Sequence, residues 1–415
     1  MAPAITDIFR VFLRIGLLSF GGPAAQIAVM HRELVEERPW LTEQQFLNAL
    51  SFCMLLPGPE AMQLATYSGW RIAGVTGGLI AGLLFVLPGA LVMAVLAALY
   101  AWLGDVPMVE ALFLGIKATV VIVVLQALLK VSKKALNGLD HWLIAALSFI
   151  AIFGFAAPFP LIIAVAALYG WLTGGTIAGT APTPVQANSL RTIAIWGALW
   201  WAPILALWLA GAEFLTQIGL FFSKLAVVTF GGAYAVLAYM TQEVVQDQAW
   251  LTTEQMMDGL GLAETTPGPL ILVTEFVGFL AGFGAGGWSL ALAAAALTIW
   301  VTFIPCFLWI FLGAPYIEWI STRPRLTGAL KGITAAVVGV ILNLSIWFAL
   351  HVFFATVYTW SPGLLRLTLP DISTINLAAV SLAIAAGIML FRLRWGLIKT
   401  LAICALLGVI LSYLV

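Results

Sequence analysis

The chain contains the same three sequence motifs, two of them rich in helix-breaking Gly or Pro, in each of its two halves. Three motifs of the first half recur in the second half at a constant interval (230 − 20 = 250 − 40 = 267 − 57 = 210). They are Phe20-Gly21-Gly22, Trp40-Leu41-Thr42 and Pro57-Gly58-Pro59, then Phe230-Gly231-Gly232, Trp250-Leu251-Thr252 and Pro267-Gly268-Pro269. Three matches at one offset indicate an internal duplication. Any fold for this chain must therefore contain two copies of the structural unit that carries these motifs.

The composition places the chain in a membrane. It is 63% hydrophobic and 9% charged, against roughly a quarter charged in soluble domains. Apolar runs that suit a membrane-crossing helix of ~20 residues occur at 79–102, 111–129, 377–391 with its flanks, and 396–415. We expect an all-α polytopic membrane protein. Lys plus Arg and Asp plus Glu both number 18, which gives no indication of nucleic-acid binding.

The repeat divides the chain into two halves joined by a connecting region. Matches continue beyond the motifs at a second interval, Pro88 with Pro305 and Pro107 with Pro324 (305 − 88 = 324 − 107 = 217). We expect a first repeat at 1–173, a linker with one inverting transmembrane helix at 174–212, and a second repeat at 213–415.

Loop charges predict that the two halves are inverted in the membrane. The loop before Trp40 carries Arg32 and Arg38, whereas its counterpart carries Glu243 and Asp247 and no basic residue. The next turn shows the opposite bias. Cytoplasmic loops are enriched in Lys and Arg, so the N-terminus is expected in the cytoplasm and the C-terminus outside. The apolar segment at 192–210 supplies the odd crossing that an inverted repeat needs.

The motif segments are too short to cross the membrane twice. Residues 15–30 and 42–71 are therefore expected to dip in and return, turning at the Gly-Gly-Pro and Pro-Gly-Pro sequences. Each half becomes two re-entrant broken-helix hairpins followed by four spans. The alternative is that some hairpins are full spans.

The breaks themselves are candidate substrate-binding elements. A break in the membrane interior leaves a helix N-terminus with free N–H groups and a positive dipole end, which favours anions. The competing interpretation is that the breaks are packing turns. The residues proposed to bind substrate are Phe20, Gly21, Gly22, Pro23, Pro57, Gly58, Pro59, Gly231, Gly232, Pro267, Gly268 and Pro269. Ala233 takes the place of Pro23 in the second half, so the halves are not identical.

Two cations precede the Phe-Gly-Gly motifs at matched positions, Arg14 and Lys224 (224 − 14 = 210). A charge inside a membrane costs at least ~2.5–3.5 kcal/mol on insertion scales and usually has a function. We predict that both bind the anion. The alternative is that both reach back to the membrane surface as anchors, as Arg10 is expected to do.

Carboxyl groups adjoin both Pro-Gly-Pro breaks. Glu60 follows the first, and Glu264 and Glu275 flank the second. They are candidates for proton coupling, because burial opposes the charged form of a carboxyl group. They could equally cap or ion-pair the half-helices. Thr42 and Thr252 precede helical segments and are expected to be N-caps.

The motifs together resemble a known family. The run Phe12-Leu13-Arg14-Ile15-Gly16-Leu17-Leu18-Ser19-Phe20-Gly21-Gly22-Pro23, with Trp40 and Leu56-Pro57-Gly58-Pro59 after it, resembles the chromate ion transporter family in its long-chain, two-domain form. The resemblance implies a multi-pass exporter of chromate in the cell inner membrane, driven by proton-motive force. It also implies that sulfate, a similar dianion, is a candidate substrate.

Other functional classes receive less support. No His-Glu-x-x-His zinc motif or Walker sequence is present, so neither catalysis nor a cofactor or metal is expected. A transporter of sulfate or another oxyanion, and an anion channel, both stay open. The sequence leaves the oligomeric state open, with a homodimer as one option.

Overall fold

The computed structural model describes residues 3–20, 22–103, 106–175, 189–230, 233–317, 323–363 and 365–413. Within these ranges the regular structure is helical except for one two-stranded β-hairpin. Five helical stretches are long and apolar enough to cross a membrane, namely Glu60–Leu103, Pro107–Ala135, Ser189–Leu209, Leu270–Tyr316 and Pro324–Phe353. The chain is an all-α polytopic membrane protein, as predicted from its composition. The β-hairpin was not predicted.

The helices follow the same order in both halves. Those of the first half are α1 Ile5–Leu18, α2 Pro23–His31, α3 Glu43–Cys53, α4 Glu60–Leu103, α5 Pro107–Ala135, α6 Leu139–Phe155 and α7 Phe159–Thr173. The connecting helix is α8 Ser189–Leu209. Those of the second half are α9 Glu213–Val228, α10 Ala233–Thr241, α11 Thr253–Thr265, α12 Val273–Gly313, α13 Pro324–Phe353, α14 Leu377–Gly387 and α15 Leu397–Ser412.

The first motif segment turns back on itself. Arg14 lies four residues before the end of α1, Glu33 lies ten residues after the start of α2, and their side chains form an ion pair of 3.2 Å. If α2 continued in the direction of α1, the two residues would be about 21 Å apart at ~1.5 Å per residue. Two side chains cannot bridge that distance, so α2 returns alongside α1.

Helices α4 and α12 each contain a second reversal. Non-helical backbone at Ala73 and Gly74 divides α4 into α4a (60–72) and α4b (75–103), and Gly286 and Gly287 divide α12 in the same way. A Cβ added to Gly69 would meet the carbonyl of Gly77, so α4a and α4b lie side by side. Each half thus contains four helices before the reversal inside α4 or α12 and four after it. The membrane side of each loop stays a prediction.

The chain forms two compact units that each draw on both halves. Unit 1 comprises Met1–Ala101, Thr176–Ala233 and Leu262–Pro324, and unit 2 comprises Trp102–Gly175, Tyr234–Gly261 and Arg325–Val415. Within unit 1, α8 packs on α9 and α12, with the Trp200 indole donating to Ser223 Oγ at 3.0 Å.

Unit 2 contains a matched pair of close helix crossings. Gly115 of α5 lies against the backbone of Cys404 on α15, and Gly332 of α13 lies against the backbone of Ala166 on α7. Glycine is required at both crossings because a Cβ would occupy the position of a backbone carbonyl. Each crossing joins one half of the sequence to the other.

The β-hairpin also belongs to unit 2. Strands β1 Val357–Trp360 and β2 Leu367–Pro370 pair antiparallel, with Val357 opposite Pro370 and Trp360 opposite Leu367. The hairpin lies between α13 and α14, in a connection that in the first half is a three-residue turn between α5 and α6 (139 − 135 − 1 = 3).

Candidate functional site at the helix breaks

The helix breaks of the two halves are joined by backbone hydrogen bonds within unit 1. Gly268 N donates to Ser19 O at 2.8 Å, and Gly58 N donates to Thr229 O at 2.7 Å. The two bonds are equivalent under the repeat (229 − 19 = 268 − 58 = 210). The segment that leads into the Phe-Gly-Gly break of each half therefore contacts the Pro-Gly-Pro break of the other half.

Matched residues end the two helices that lead into these contacts. Ser19 follows α1 and Thr229 follows α9, with φ/ψ of −82°/73° and −74°/82° respectively. Each hydroxyl donates back to the carbonyl four residues earlier, of Ile15 and of Leu225, at 2.6 Å in both cases. Hydroxyl side chains compete in this way with the backbone at helix ends. The result is a carbonyl that is free to accept from the opposite half.

The central residues of both Pro-Gly-Pro turns need glycine. Gly58 has φ +119° and Gly268 has φ +86°, a region that other residues enter only with strain. A Cβ on Gly58 would also lie 2.8 Å from Gln63 Nε2 and 2.9 Å from Cys306 Sγ. The flanking Pro57 and Pro59 are half-buried, whereas Pro267 and Pro269 are buried.

The N-terminus of α2 offers free amide groups. Gly22 is the N-cap with φ +81°, and no side chain among the described residues caps the helix. Pro23 occupies the first turn, where the remaining N–H groups have no intrahelical acceptor. No heavy atom lies within 4 Å of the position that a Cβ on Gly22 would take. This end of α2 thus combines donors, a positive dipole and space, while Gly21, Gly231 and Gly232 lie outside the described residues.

Two buried glutamines at the breaks were missed from the sequence. Gln26 Nε2 donates to Gly268 O at 2.6 Å, and Gln63 Nε2 donates to Pro57 O at 2.7 Å. Gln63 Oε1 has no hydrogen-bond partner among the described residues. The repeat places Val236 and Val273 at the matching positions. Both glutamines could have been identified from the sequence, because each is an amide side chain within an otherwise apolar hairpin.

The predicted cations lie on the helices that lead into the breaks, and their side chains are exposed. Arg14 Nε lies 3.2 Å from Glu33 Oε1, and a second arginine, Arg38, also binds the buried Glu33. Arg14 is therefore engaged with the loop that follows α2. Lys224 occupies the equivalent position on α9. A role in anion binding stays a prediction for both.

The three carboxyl candidates differ in their surroundings. Glu60, at the start of α4, is half-buried, while Glu264 and Glu275 are 4% and 5% exposed. Glu275 Oε2 has no hydrogen-bond partner in the described part of the chain. A buried carboxylate without a partner is costly in free energy, so Glu275 has the least favourable surroundings for a negative charge.

A buried ion pair in unit 2 was also missed. Lys117 Nζ on α5 lies 3.3 Å from Asp258 Oδ1 on α11, with the side chains 17% and 7% exposed. The sequence did point to Lys117, because it is a charged residue inside the apolar run at 111–129. The repeat matches Lys117 with Thr334 and Asp258 with Asn48, neither of which is charged.

The predicted N-caps are confirmed. Thr42 Oγ1 accepts from Gln45 N, and the Gln45 side chain accepts from Thr42 N, at 3.2 and 3.1 Å. Thr252 and Gln255 make the same reciprocal pair at 3.2 and 3.0 Å. Both helices that lead into the Pro-Gly-Pro turns thus begin with a capping box.

Comparison with known proteins decides the family. The chain matches the chromate transporter family over residues 6–171 and 216–409. It belongs to that family. Each matched segment contains one Phe-Gly-Gly and one Pro-Gly-Pro motif. Membership supports chromate transport across a membrane as the function and a transporter rather than an enzyme.

Similar proteins include both long and short members. The chain is 32% identical to a chromate transport protein of Cupriavidus metallidurans, with 84% of each chain covered. It is 34% identical to a chromate transport protein of Pseudomonas aeruginosa, covering 81% of this chain and 79% of that one. The uncharacterized transporter YwrA of Bacillus subtilis is 30% identical over 40% of this chain and 94% of its own length. No solved structure matches the chain.

Proposed function

We propose that this member of the chromate transporter family exports chromate across the cell inner membrane and is driven by proton-motive force. The observation that carries the proposal is the pair of cross-half hydrogen bonds, Gly268 N to Ser19 O and Gly58 N to Thr229 O. They join residues at the breaks of the two halves in two equivalent pairs within unit 1. Transporters of this kind bind substrate where broken helices of two repeats meet.

The binding chemistry suits a tetrahedral dianion. The uncapped N-terminus of α2 offers backbone donors without a negative charge, and Gly22 leaves space beside them. Sulfate and chromate share charge and shape, so these donors accommodate either. Arg14 and Lys224 supply positive charge on the adjoining helices, which attracts the anion into the membrane interior.

Coupling to protons is assigned to a carboxyl group at the breaks, with Glu60, Glu264 and Glu275 as candidates. Glu275 is the strongest, because its Oε2 is buried without a hydrogen-bond partner among the described residues. A membrane potential that is negative inside already favours exit of a dianion, by about 4.6 kcal/mol at 100 mV. A proton carrier adds a second driving force and makes export depend on the pH gradient.

Transport by purified protein in proteoliposomes tests this proposal. Chromate and sulfate uptake would be measured under a pH gradient with the voltage held at zero, and under a voltage without a pH gradient. We expect chromate to accumulate against its own gradient when the pH gradient is imposed. An anion channel would only equilibrate the anion. Faster transport of sulfate than of chromate would identify sulfate as the preferred substrate.

Glutamine substitutions locate the proton carrier. Glu275→Gln should abolish the dependence on the pH gradient while voltage-driven transport and substrate binding persist. Glu60→Gln and Glu264→Gln are the matched comparisons. If all three variants, singly and combined, keep the wild-type pH dependence, these carboxyl groups have no part in coupling.

A further inference from the structure

Unit 2 contains a cavity of about 380 Å³ that is partly open and is lined by polar and apolar groups in similar amounts. Its walls come from the end of α6, the turn after α10, the second half of α13 and the β-hairpin. Six side chains supply most of its polar groups, namely Gln242, Gln246, Asn343, Thr359, Arg366 and Thr368. The described residues that line it include no carboxylate. A cavity with this lining offers hydrogen-bond donors and one positive charge.

Arg366 lines the cavity as an exposed residue, and its backbone is held in place. Its backbone N–H donates to Gly154 O at 2.8 Å, which fastens the hairpin to the end of α6. No carboxylate lies within ion-pair distance of its guanidinium among the described residues. An arginine with this freedom can bind an oxyanion through two parallel N–H donors.

Asp371, a carboxyl group on the hairpin segment, is hydrogen-bonded to Ser373. Asp371 Oδ1 accepts from Ser373 N at 3.0 Å and from Ser373 Oγ at 2.7 Å. These hydrogen bonds hold the pKa of Asp371 below its ordinary value. Glu243 and Asp247 adjoin Gln242 and Gln246 in the chain but do not line the cavity.

The cavity depends on an insertion that only the second half contains. The connection between α13 and α14 has 23 residues (377 − 353 − 1 = 23), against three at the matching place in the first half. This insertion supplies Thr359, Arg366 and Thr368. Its base is fixed by bonds from Ala355 N to Thr374 O and from Asp371 N to Thr356 O, at 3.1 and 2.9 Å. A fixed, cationic wall is thus added to one half.

We propose that this cavity is a second oxyanion-binding site, separate from the helix breaks, with Arg366 as its anchor. That the natural ligand is the transported chromate or sulfate rests on the proposed function. Positive charge at the wall of a cavity raises the local concentration of anions. The loop charges predict that the segment before Trp250, which supplies Gln242 and Gln246, lies outside. The site therefore lowers the concentration of externally supplied anion that half-saturates transport, and it leaves the maximal rate to the helix breaks.

The test compares Arg366→Gln with Arg325→Gln, which removes an exposed cation at the other end of α13. Initial rates of chromate and sulfate transport would be measured across concentrations of anion supplied from the side that the cavity faces, with chloride keeping the ionic strength constant. Arg366→Gln should raise KM about 10-fold and leave kcat nearly unchanged, the size expected for one charge-assisted contact. Arg366→Lys should lie between the wild type and Arg366→Gln. Equal KM values for Arg366→Gln and Arg325→Gln would overturn the proposal.

Direct binding separates this site from the transport proposal. Equilibrium dialysis of radiolabelled sulfate against the purified protein should show binding that Arg366→Gln weakens and Arg325→Gln does not. If that binding is found but the wild type moves neither anion, the cavity stands and the proposed transport falls. If transport occurs while Arg366→Gln binds sulfate as the wild type does, the cavity is not an anion site.

Discussion

The first-half and second-half breaks share their backbone and differ in their side chains. The hydrogen bonds from Gly58 to Thr229 and from Gly268 to Ser19 are equivalent, and so are the hydroxyl groups that end α1 and α9. Around this shared frame, the repeat matches Gln26 with Val236 and Gln63 with Val273. The duplication therefore repeats the scaffold and leaves side-chain chemistry free to diverge.

Divergence of this kind would allow the two halves to carry out different tasks. The first half contributes the amides of Gln26 and Gln63, whereas the second contributes Glu275, whose repeat match is Ala65 and whose Oε2 has no hydrogen-bond partner among the described residues. A symmetric site would treat substrate and coupling ion alike in both halves. An asymmetric one can bind the anion mainly with one half and a proton with the other.

The largest effect is expected at the charged pair that the repeat does not preserve. Asp258→Asn leaves Lys117 buried and uncompensated, which typically destabilises by about 3–5 kcal/mol. The double variant Lys117→Met with Asp258→Leu removes both charges and should recover most of the loss. Thermal unfolding in detergent measures both. Equal losses in the single and double variants would show that the ion pair itself is not the cause.

Gly89 and Cys306 occupy matching places against the two Pro-Gly-Pro turns (306 − 89 = 217). A Cβ on Gly89 would fall on Pro267 O, whereas Cys306 already presents its Sγ to Gly58. Gly89→Ala should therefore destabilise by about 1–3 kcal/mol through overpacking and reduce transport. Cys306→Ala is the matched control and should cost less. Thermal unfolding and transport rates compare the two, and a harmless Gly89→Ala would contradict the tight fit.

Arg14 and Lys224 test whether the two cations remain equivalent in function. Arg14→Gln and Lys224→Gln should each reduce chromate transport by about 10-fold or more, because a charge-assisted contact to a desolvated anion is lost. Arg10→Gln serves as the control for loss of a surface charge. Fluorescence-detected size exclusion verifies folding. Wild-type transport by both variants would make the cations anchors, and a loss in only one would make the site asymmetric.

His31 gives the smallest expected effect, and its match in the second half is Thr241. Both imidazole nitrogens contact carboxylates, Glu43 at 2.6 Å and Glu36 at 3.0 Å, and the bond to Glu43 chiefly raises the pKa of His31 above 6.5. The stabilisation is therefore full below the unfolded value and is lost as the pH rises through the raised pKa.

At this solvent-accessible site the contribution should not exceed about 1 kcal/mol. The Tm difference between about pH 6 and about pH 8 should shrink in His31→Gln. If the variant and the wild type show the same difference, protonation of His31 does not stabilise the loop.

Helix breaks were predictable because Gly and Pro act locally, and the structure places a break at each motif whose residues it describes. The partner of Arg14 was not predictable, because Glu33 reaches it only after the chain reverses. Lys117 and Asp258 meet through packing of α5 against α11, and no single-sequence pattern announces that contact. The β-hairpin had a local signal, the Val-Tyr-Thr run before Ser361-Pro362-Gly363, which the surrounding apolar helices obscured.

The bond between Ser19 and Gly268 sets an order of events during synthesis. These residues are 249 positions apart (268 − 19 = 249), and a ribosome adds about 5–20 residues per second. About 12 to 50 s therefore pass between the synthesis of Ser19 and the synthesis of Gly268, whose N–H donates to the Ser19 carbonyl. A substrate site built from the breaks of both halves is therefore complete only after the second half has been made.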